Sequence, residues 1–210
     1  MFIVLDGIDG AGKGRQRSEL VAKLSNTKQK VQTTDFPDHQ GEIYKHVIHP
    51  ALHEEISLSP QAWFLAFILD QLLWKDKIDE TIGNDKAHFI SDGYFTTTLA
   101  YQCKLSKVMH ITDALELAEK FEVPKPDLVI FIDVDPKVAM SRKMGEEGHD
   151  EGLDIFERNI SKQQKLRQAF TELANENTWT DWEIVDGNLS IEEVNNMIIK
   201  ILNNKNLLKI

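Results

Sequence analysis

A single cysteine, Cys103, makes an intramolecular disulfide impossible, so packing alone must hold the chain and a reducing compartment is its natural setting. Positive charge is scarce as well: 24 lysines and arginines face 34 acidic residues, for a net charge of −10. That balance excludes an extended nucleic-acid surface, which requires a basic patch, and any anionic ligand must be held by local cations against an acidic background. No apolar stretch approaches the roughly twenty residues of a membrane span. Met1 leads directly into an apolar run with no charged leader, so a cytoplasmic protein without a membrane partner is expected. Internal repeats, low-complexity segments and linkers are lacking too. With 210 residues and 41% apolar content, the chain suffices for one packed α/β domain and is short for two, so residues 1–210 are expected to form a single domain.

What is present begins at once. Phe2-Ile3-Val4-Leu5 is a short apolar run, rich in β-branched residues and closed by glycine, as a strand buried on both faces would be. After it comes Asp6-Gly7-Ile8-Asp9-Gly10-Ala11-Gly12-Lys13-Gly14-Arg15, and then Leu20, Val21 and Leu24 at helical spacing. Composition alone produces G-x4-G-K in about one chain of this length in twenty. The pattern gains meaning from its place between a strand and a helix. Glycines let consecutive backbone N–H groups turn inward on a polyphosphate, the helix offers its positive N-terminus, and Lys13 reaches the β- and γ-phosphates. The next position, usually a Ser or Thr that binds Mg²⁺, is Gly14.

Further strands are predicted over Lys30–Phe36, Ala87–Ser91, Leu128–Val134 and Trp182–Asp186, with helices between them. The alternation predicts a three-layer P-loop NTPase fold of the α/β class, a parallel sheet flanked by helices. In open parallel sheets ligands bind beyond the carboxyl ends of the strands, so Asp35, Phe36 and the residues after Pro37 belong on the rim that carries the phosphate loop. Asp92, at the end of the third strand, is a candidate to hold Mg²⁺ through water. Ser59-Pro60 caps and opens a helix whose unbroken apolar run, Ala62–Leu69, exceeds one amphipathic stripe and asks for cover on more than one side. A second subunit is one candidate for that cover, and a charge at Phe64 or Leu65 is expected to disturb it. Three glycines among charges over 145–152 read as a mobile loop.

In this order and spacing the residues resemble the thymidylate kinases, within the P-loop nucleoside monophosphate kinases. The anchors are Asp6 to Lys13 with Gln16; Phe36-Pro37; Phe67 to Asp70; Asp92-x-Tyr94; Ala100-Tyr101-Gln102; Lys125-Pro126-Asp127-Leu128; Asp133 to Pro136; and Asp154 to Glu157. The resemblance implies transfer of the γ-phosphoryl group of ATP-Mg²⁺ to dTMP. It implies catalytic roles for Lys13, Asp9, Asp92 and Arg142, and a donor-nucleotide site formed by Gly7 to Arg15 with Arg142 and Gly187. On the acceptor side it implies Asp9 at sugar and phosphate, Phe67 stacked on thymine, Thr97 and Thr98 at the base edge, and Tyr101 crowding the 2′ position. Phe36, Pro37, His39, Gln71, Tyr94 and Gln102 complete that side. A lid at about 142–154 and a homodimer are implied as well.

Several family cations are missing. Arginine follows Phe-Pro-x in the family, where this chain has His39; it follows the helix aspartate, where Gln71 stands, and the strand-end aspartate, where Gly93 stands. Each lost catalytic cation costs on the order of a thousandfold if nothing replaces it. Arg15, Lys104, Arg142, Lys143 and Arg158 are candidate replacements, and an arginine introduced at Gly93 is expected to help. The deficit leaves two alternatives open: a deoxynucleoside kinase using Asp35 or Asp9 as base, and a weakly active nucleotide-binding relative.

Overall fold

A computed structural model describes residues 1–25, 29–84, 87–144 and 159–208. Five strands, β1 (Phe2–Asp6), β2 (Lys30–Asp35), β3 (Ala87–Asp92), β4 (Leu128–Asp133) and β5 (Trp182–Asp186), form one parallel sheet in the order β2-β3-β1-β4-β5. Two of the three central strands, β1 and β4, are continuous apolar runs up to their final aspartate, and every residue of β1 is buried. Edge strands β2 and β5 keep exposed positions, as one-sided cover requires. Parallel pairing of Asp35 with Asp92 and of Leu5 with Asp92 brings the ends of β2, β3 and β1 to one rim.

Around the sheet, α1 (Lys13–Ser25) lies on β1, β2 and β3 and packs against α9 (Ile191–Asn204), which covers β5. Helix α8 (Ile160–Asn175) covers β4 and β5 and packs against α7 (Pro136–Met144) and a π-helical segment, Leu99–Leu105. The short α5 (Phe95–Thr98) runs into that segment, and α6 (Ile111–Lys120) packs on it. Between β2 and β3 come a π-helical turn, Tyr44–Ile48, continued by α2 (His49–Leu52), then α3 (Pro60–Leu72) and α4 (Lys75–Ile82). Ser59 caps α3 as expected, its hydroxyl accepting from the Ala62 N–H at 3.2 Å. After α3 the chain turns at Leu73-Trp74 and restarts as α4. Helix α8 begins at Ile160, after the Asn159 cap. Beyond Met144, the lid expected at about 142–154 lies outside the described residues, as do Asp154 to Arg158.

Helix α3 settles which of its apolar residues face inward. Phe64 and Ile68 are buried in the core, so a charge at Phe64 would break the fold rather than an interface. Leu65, Leu69 and Leu73, at i, i+4 and i+8, are instead 54%, 46% and 64% exposed.

Candidate active site

The loop after β1 has the backbone that a phosphate cradle needs. Gly7, Gly10 and Gly12 all hold positive φ, and a Cβ on Gly12 would meet no atom within 4 Å, so a ligand can approach the main chain there. Ala11 N–H donates to Ile8 O at 3.1 Å, closing the turn that delivers the chain into α1.

Lys13 is more enclosed than a solvent-facing loop residue, with only 13% of its side chain exposed. Its Nζ donates to Ile8 O at 3.3 Å and lies 3.8 Å from Asp9 and 3.9 Å from Asp92. Burial pushes its pKa down, but the charges of Asp92, Asp9 and Asp6 outweigh this and raise it. Lys13 is therefore held charged and pre-oriented by carboxylates before any phosphate arrives.

Asp6 is a functional neighbour that the motif did not single out. Fully buried beneath the loop, it accepts from the Thr96 hydroxyl at 2.6 Å, the Thr97 hydroxyl at 2.9 Å and Gly7 N–H at 3.0 Å. Burial still pushes its pKa up, to about 6. Asp9 behaves oppositely: burial raises its pKa, while Lys13, Lys143 and the Tyr101 hydroxyl bring it below the ordinary value. Tyr101 Oη donates to Asp9 Oδ2 at 2.8 Å, so two residues assigned to the acceptor sugar are joined.

The second half of the site lies beyond β2 and β3. His39 Nδ1 sits 2.6 Å from Asp35 Oδ2, while Arg17 Nη1 approaches Asp35 Oδ1 at 3.8 Å from below. Hydrogen bonding to Asp35, which outweighs desolvation, raises the His39 pKa. Asp38 is fixed by its N–H to Asp70 Oδ2 at 2.9 Å and by Trp74 Nε1 to its own Oδ2 at 2.9 Å. Burial brings Asp70 up to about 6. Arg17 escaped the sequence reading, although its i+4 spacing from Lys13 puts both on one face of α1 and was the signal available.

Several assigned residues serve the framework instead. Tyr94 has no exposed surface and packs between Phe2, Phe36 and Trp179, so it is a core residue and not a substrate contact. Phe36 likewise turns inward against Trp74 and Tyr94, and the following Pro37 is joined by a cis peptide bond. Thr97 spends its hydroxyl on Asp6 and on the Tyr94 N–H, so it is not free for a base edge. Gln102 is buried in the π-helical segment. Thr98 and Gln71 meet in the interior, Gln71 Nε2 donating to Thr98 Oγ1 at 3.0 Å. Phe67 is half-buried and stacked on Trp63 with centroids 5.7 Å apart.

The candidate replacement cations divide. Lys143 acts electrostatically on Asp9 at the loop. Arg142 Nη1 donates to Gly187 O at 2.8 Å, uniting the two residues assigned to the donor nucleotide. Arg15 pairs with Glu19 on an exposed face, and Lys104 with Glu172 on α8, so neither serves the cleft. Arg158 lies outside the described residues.

Among the described residues no group of three or more His, Cys, Asp or Glu side chains could hold a metal alone. A divalent cation accompanied by phosphate oxygens fits better, since Mg²⁺ takes one or two carboxylates and completes its shell with substrate phosphates and water. Asp92 is placed for this: its carboxylate accepts no hydrogen bond among the described residues and faces the space over Gly14.

A parallel sheet with a phosphate loop after its central strand, and a second polar rim beyond the two strands beside it, defines a P-loop nucleotide kinase. Comparison with known proteins narrows the class. The thymidylate kinase family model matches residues 5–198. A thymidylate kinase of Schizosaccharomyces pombe is 29% identical over 98% of this chain and 93% of its own length. A probable thymidylate kinase of Thermococcus kodakarensis is 30% identical, covering 96% of this chain and 97% of its own. A thymidylate kinase of Danio rerio is 28% identical across 92% of this chain and 85% of its own. The chain belongs to the thymidylate kinase family.

Proposed function

We propose that this chain transfers the γ-phosphoryl group of Mg²⁺-ATP to the 5′-phosphate of dTMP, releasing ADP and dTDP. The acceptor phosphate has its second pKa near 6, so at neutral pH it is largely the dianion and needs no general base. An oxygen of that phosphate forms the new P–O bond as the bond to the β-phosphate bridging oxygen breaks. The bound Mg²⁺ neutralises phosphate charge. Lys13 and the loop N–H groups take up the rest on the donor side, Asp9 and Tyr101 orient the acceptor sugar, and Arg142 with Gly187 border the donor nucleotide. Arg17 and His39 bring positive charge to the acceptor rim, where the family arginines are missing.

The observation that carries the choice of base is Gln71. With Nε2 bound to Thr98, its Oε1 is left buried without a hydrogen-bond partner. A pyrimidine that carries a proton on N3 supplies the missing donor beside Phe67, whereas N3 of cytosine is itself an acceptor. Turnover of dTMP, dCMP and thymidine with ATP tests this. dTMP should be preferred to dCMP by at least about a hundredfold, the cost of stranding two buried polar groups. A higher kcat/KM for thymidine than for dTMP would restore the nucleoside kinase reading, which nothing comparable supports.

The exposed Leu65, Leu69 and Leu73 stripe supports a homodimer through α3, because apolar residues at i, i+4 and i+8 form one continuous face. Sedimentation at micromolar concentration should show twice the 24.0 kDa chain mass, and Leu69→Glu should return it to a single chain. The chain is taken to work as one domain in the cytoplasm, in line with its lone cysteine and its need for ATP. Among the described residues no helix is long and apolar enough to cross a membrane.

A further inference from the structure

Asp6 is a buried carboxylate with no part of its own in the phosphoryl transfer. It closes β1 without exposed surface, in register with Phe131 of β4. Its Oδ1 accepts from Gly7 N–H at 3.0 Å and from the Thr97 hydroxyl at 2.9 Å, and its Oδ2 accepts from the Thr96 hydroxyl at 2.6 Å. Gly7 opens the phosphate loop, whereas Thr96, 90 residues further along, belongs with Thr97 to α5. Thr97 Oγ1 in turn accepts from Tyr94 N–H at 3.0 Å, so hydrogen bonds run without a break from the loop to the turn after β3. Helix α5 continues directly into the π-helical segment that carries Tyr101. Lys13 is the charge that acts on Asp6; the groups bonded to it are neutral. Burial pushes its pKa to about 6, so at neutral pH the carboxylate is ionised at the expense of stability.

We propose that Asp6 is a positioning residue: its carboxylate ties the phosphate loop to α5, so that the donor loop and the acceptor-side segment through Tyr101 keep one relative placement during transfer. The kinetic part of the inference rests on the reading of this chain as a dTMP kinase. Phosphoryl transfer depends on alignment, and a misplacement of about 1 Å costs on the order of a hundredfold in rate. A carboxylate suits the task because both of its oxygens accept. An amide of the same shape accepts through one oxygen only and turns a donor toward the other partner. Asp6→Asn therefore removes the charge and loosens the tie with little change in volume.

The test combines amide hydrogen exchange, steady-state kinetics and melting on the full chain. Asp6→Asn should speed exchange in the loop and in α5 together, and Thr97→Val, a change confined to α5, should speed it in the loop as well. Thr97→Ser keeps the hydroxyl and should recover most of that protection. With both substrates saturating, Asp6→Asn should lower kcat by about tenfold or more while the KM values for ATP and dTMP stay within about threefold. Its Tm should move the other way. In the wild type the protonated carboxyl supports folding below the unfolded value of 3.8, and that support is lost as pH rises through about 6. The Tm of Asp6→Asn should therefore gain on the wild type between pH 5 and pH 8, whereas a residue that only held the fold together would lower kcat and Tm in step. Unchanged loop exchange in Thr97→Val, or a kcat of Asp6→Asn within about twofold of the wild type, would overturn the proposal. A wild type that does not turn over dTMP would fail the kinase reading instead, and the exchange of Thr97→Val would still decide whether the tie exists.

Discussion

Replacing Gly93 by arginine tests the acceptor rim most directly, because sequence and structure predict opposite results. From sequence, the substitution returns a family cation beside the acceptor phosphate and should lower KM for dTMP. The structure gives Gly93 a φ of +68° and places a built Cβ 2.9 Å from Phe36 O and 3.0 Å from Thr97 Oγ1. Neither atom can easily give way: the Phe36 N–H donates to Asp92 O at 2.8 Å, and Thr97 Oγ1 is tied to Asp6 and to the Tyr94 N–H. The left-handed conformation costs a non-glycine residue roughly 1–2 kcal/mol. Overpacking against anchored atoms adds about 1–3 kcal/mol. A total near 3 kcal/mol corresponds to a Tm lowered by about 6–12 °C for a domain of this size. Gly93→Ala should show most of that loss without any charge, and Gly93→Arg should show it with no gain in kcat/KM for dTMP. The assay is calorimetric melting of both variants beside steady-state kinetics well below the lower Tm. Gly93→Ala melting within about 1 °C of wild type would refute the strain argument. A stable Gly93→Arg with improved dTMP kinetics would restore the expectation from sequence.

Lys13→Met should reduce kcat by about a thousandfold or more, since it removes the charge that positions the transferred phosphoryl group. It also leaves Asp6, Asp9 and Asp92 without their shared cation, which raises their pKa values, so its Tm deficit should be larger at pH 8 than at pH 5. An equal deficit at both pH values would contradict the buried-cluster description. His39→Asn addresses a pair with the opposite sign. Because the folded His39 pKa is raised, its contribution is complete below the unfolded value of 6.5 and is lost as pH rises through the folded one. Denaturation midpoints of wild type and variant should therefore differ most below pH 6.5 and converge above the raised value, and a gap independent of pH would dismiss the imidazolium–Asp35 pair. Tyr101→Phe should keep the preference for deoxyribose while losing about tenfold in kcat/KM through the hydrogen bond to Asp9. Tyr101→Ala should lose the preference as well, and equal sugar discrimination in wild type and alanine variant would exclude the steric role.

Local chemistry was legible in the sequence. Strand β1, the glycine loop and the start of α1 are consecutive in the chain, so composition and spacing alone specify a phosphate cradle with Lys13 in it. The continuous apolar runs of β1 and β4 announce strands covered on both faces, and Ser59-Pro60 announces the start of α3. All of these depend on interactions between residues a few positions apart.

The acceptor side depends on register and packing, which no local pattern records. Asp35 and Asp92 become neighbours only because β2 and β3 pair in parallel at that register, and only then does Arg17, a turn along α1 from Lys13, come beneath them. The same period of residues on α3 is read correctly as too apolar for one stripe, yet which residues turn inward was decided by the sheet: Phe64 faces the core and Leu65 does not. Tyr94 and Thr97 look available in sequence, but the chain after β3 turns one into the core and binds the other to Asp6. Gly14 and Gly93 carry the contrast furthest. In sequence each is an absent side chain; in the fold Gly14 leaves room beside the Asp92 carboxylate, and Gly93 keeps a backbone angle and a clearance that a larger residue would lose, because what a glycine permits depends on the atoms that tertiary packing sets opposite it.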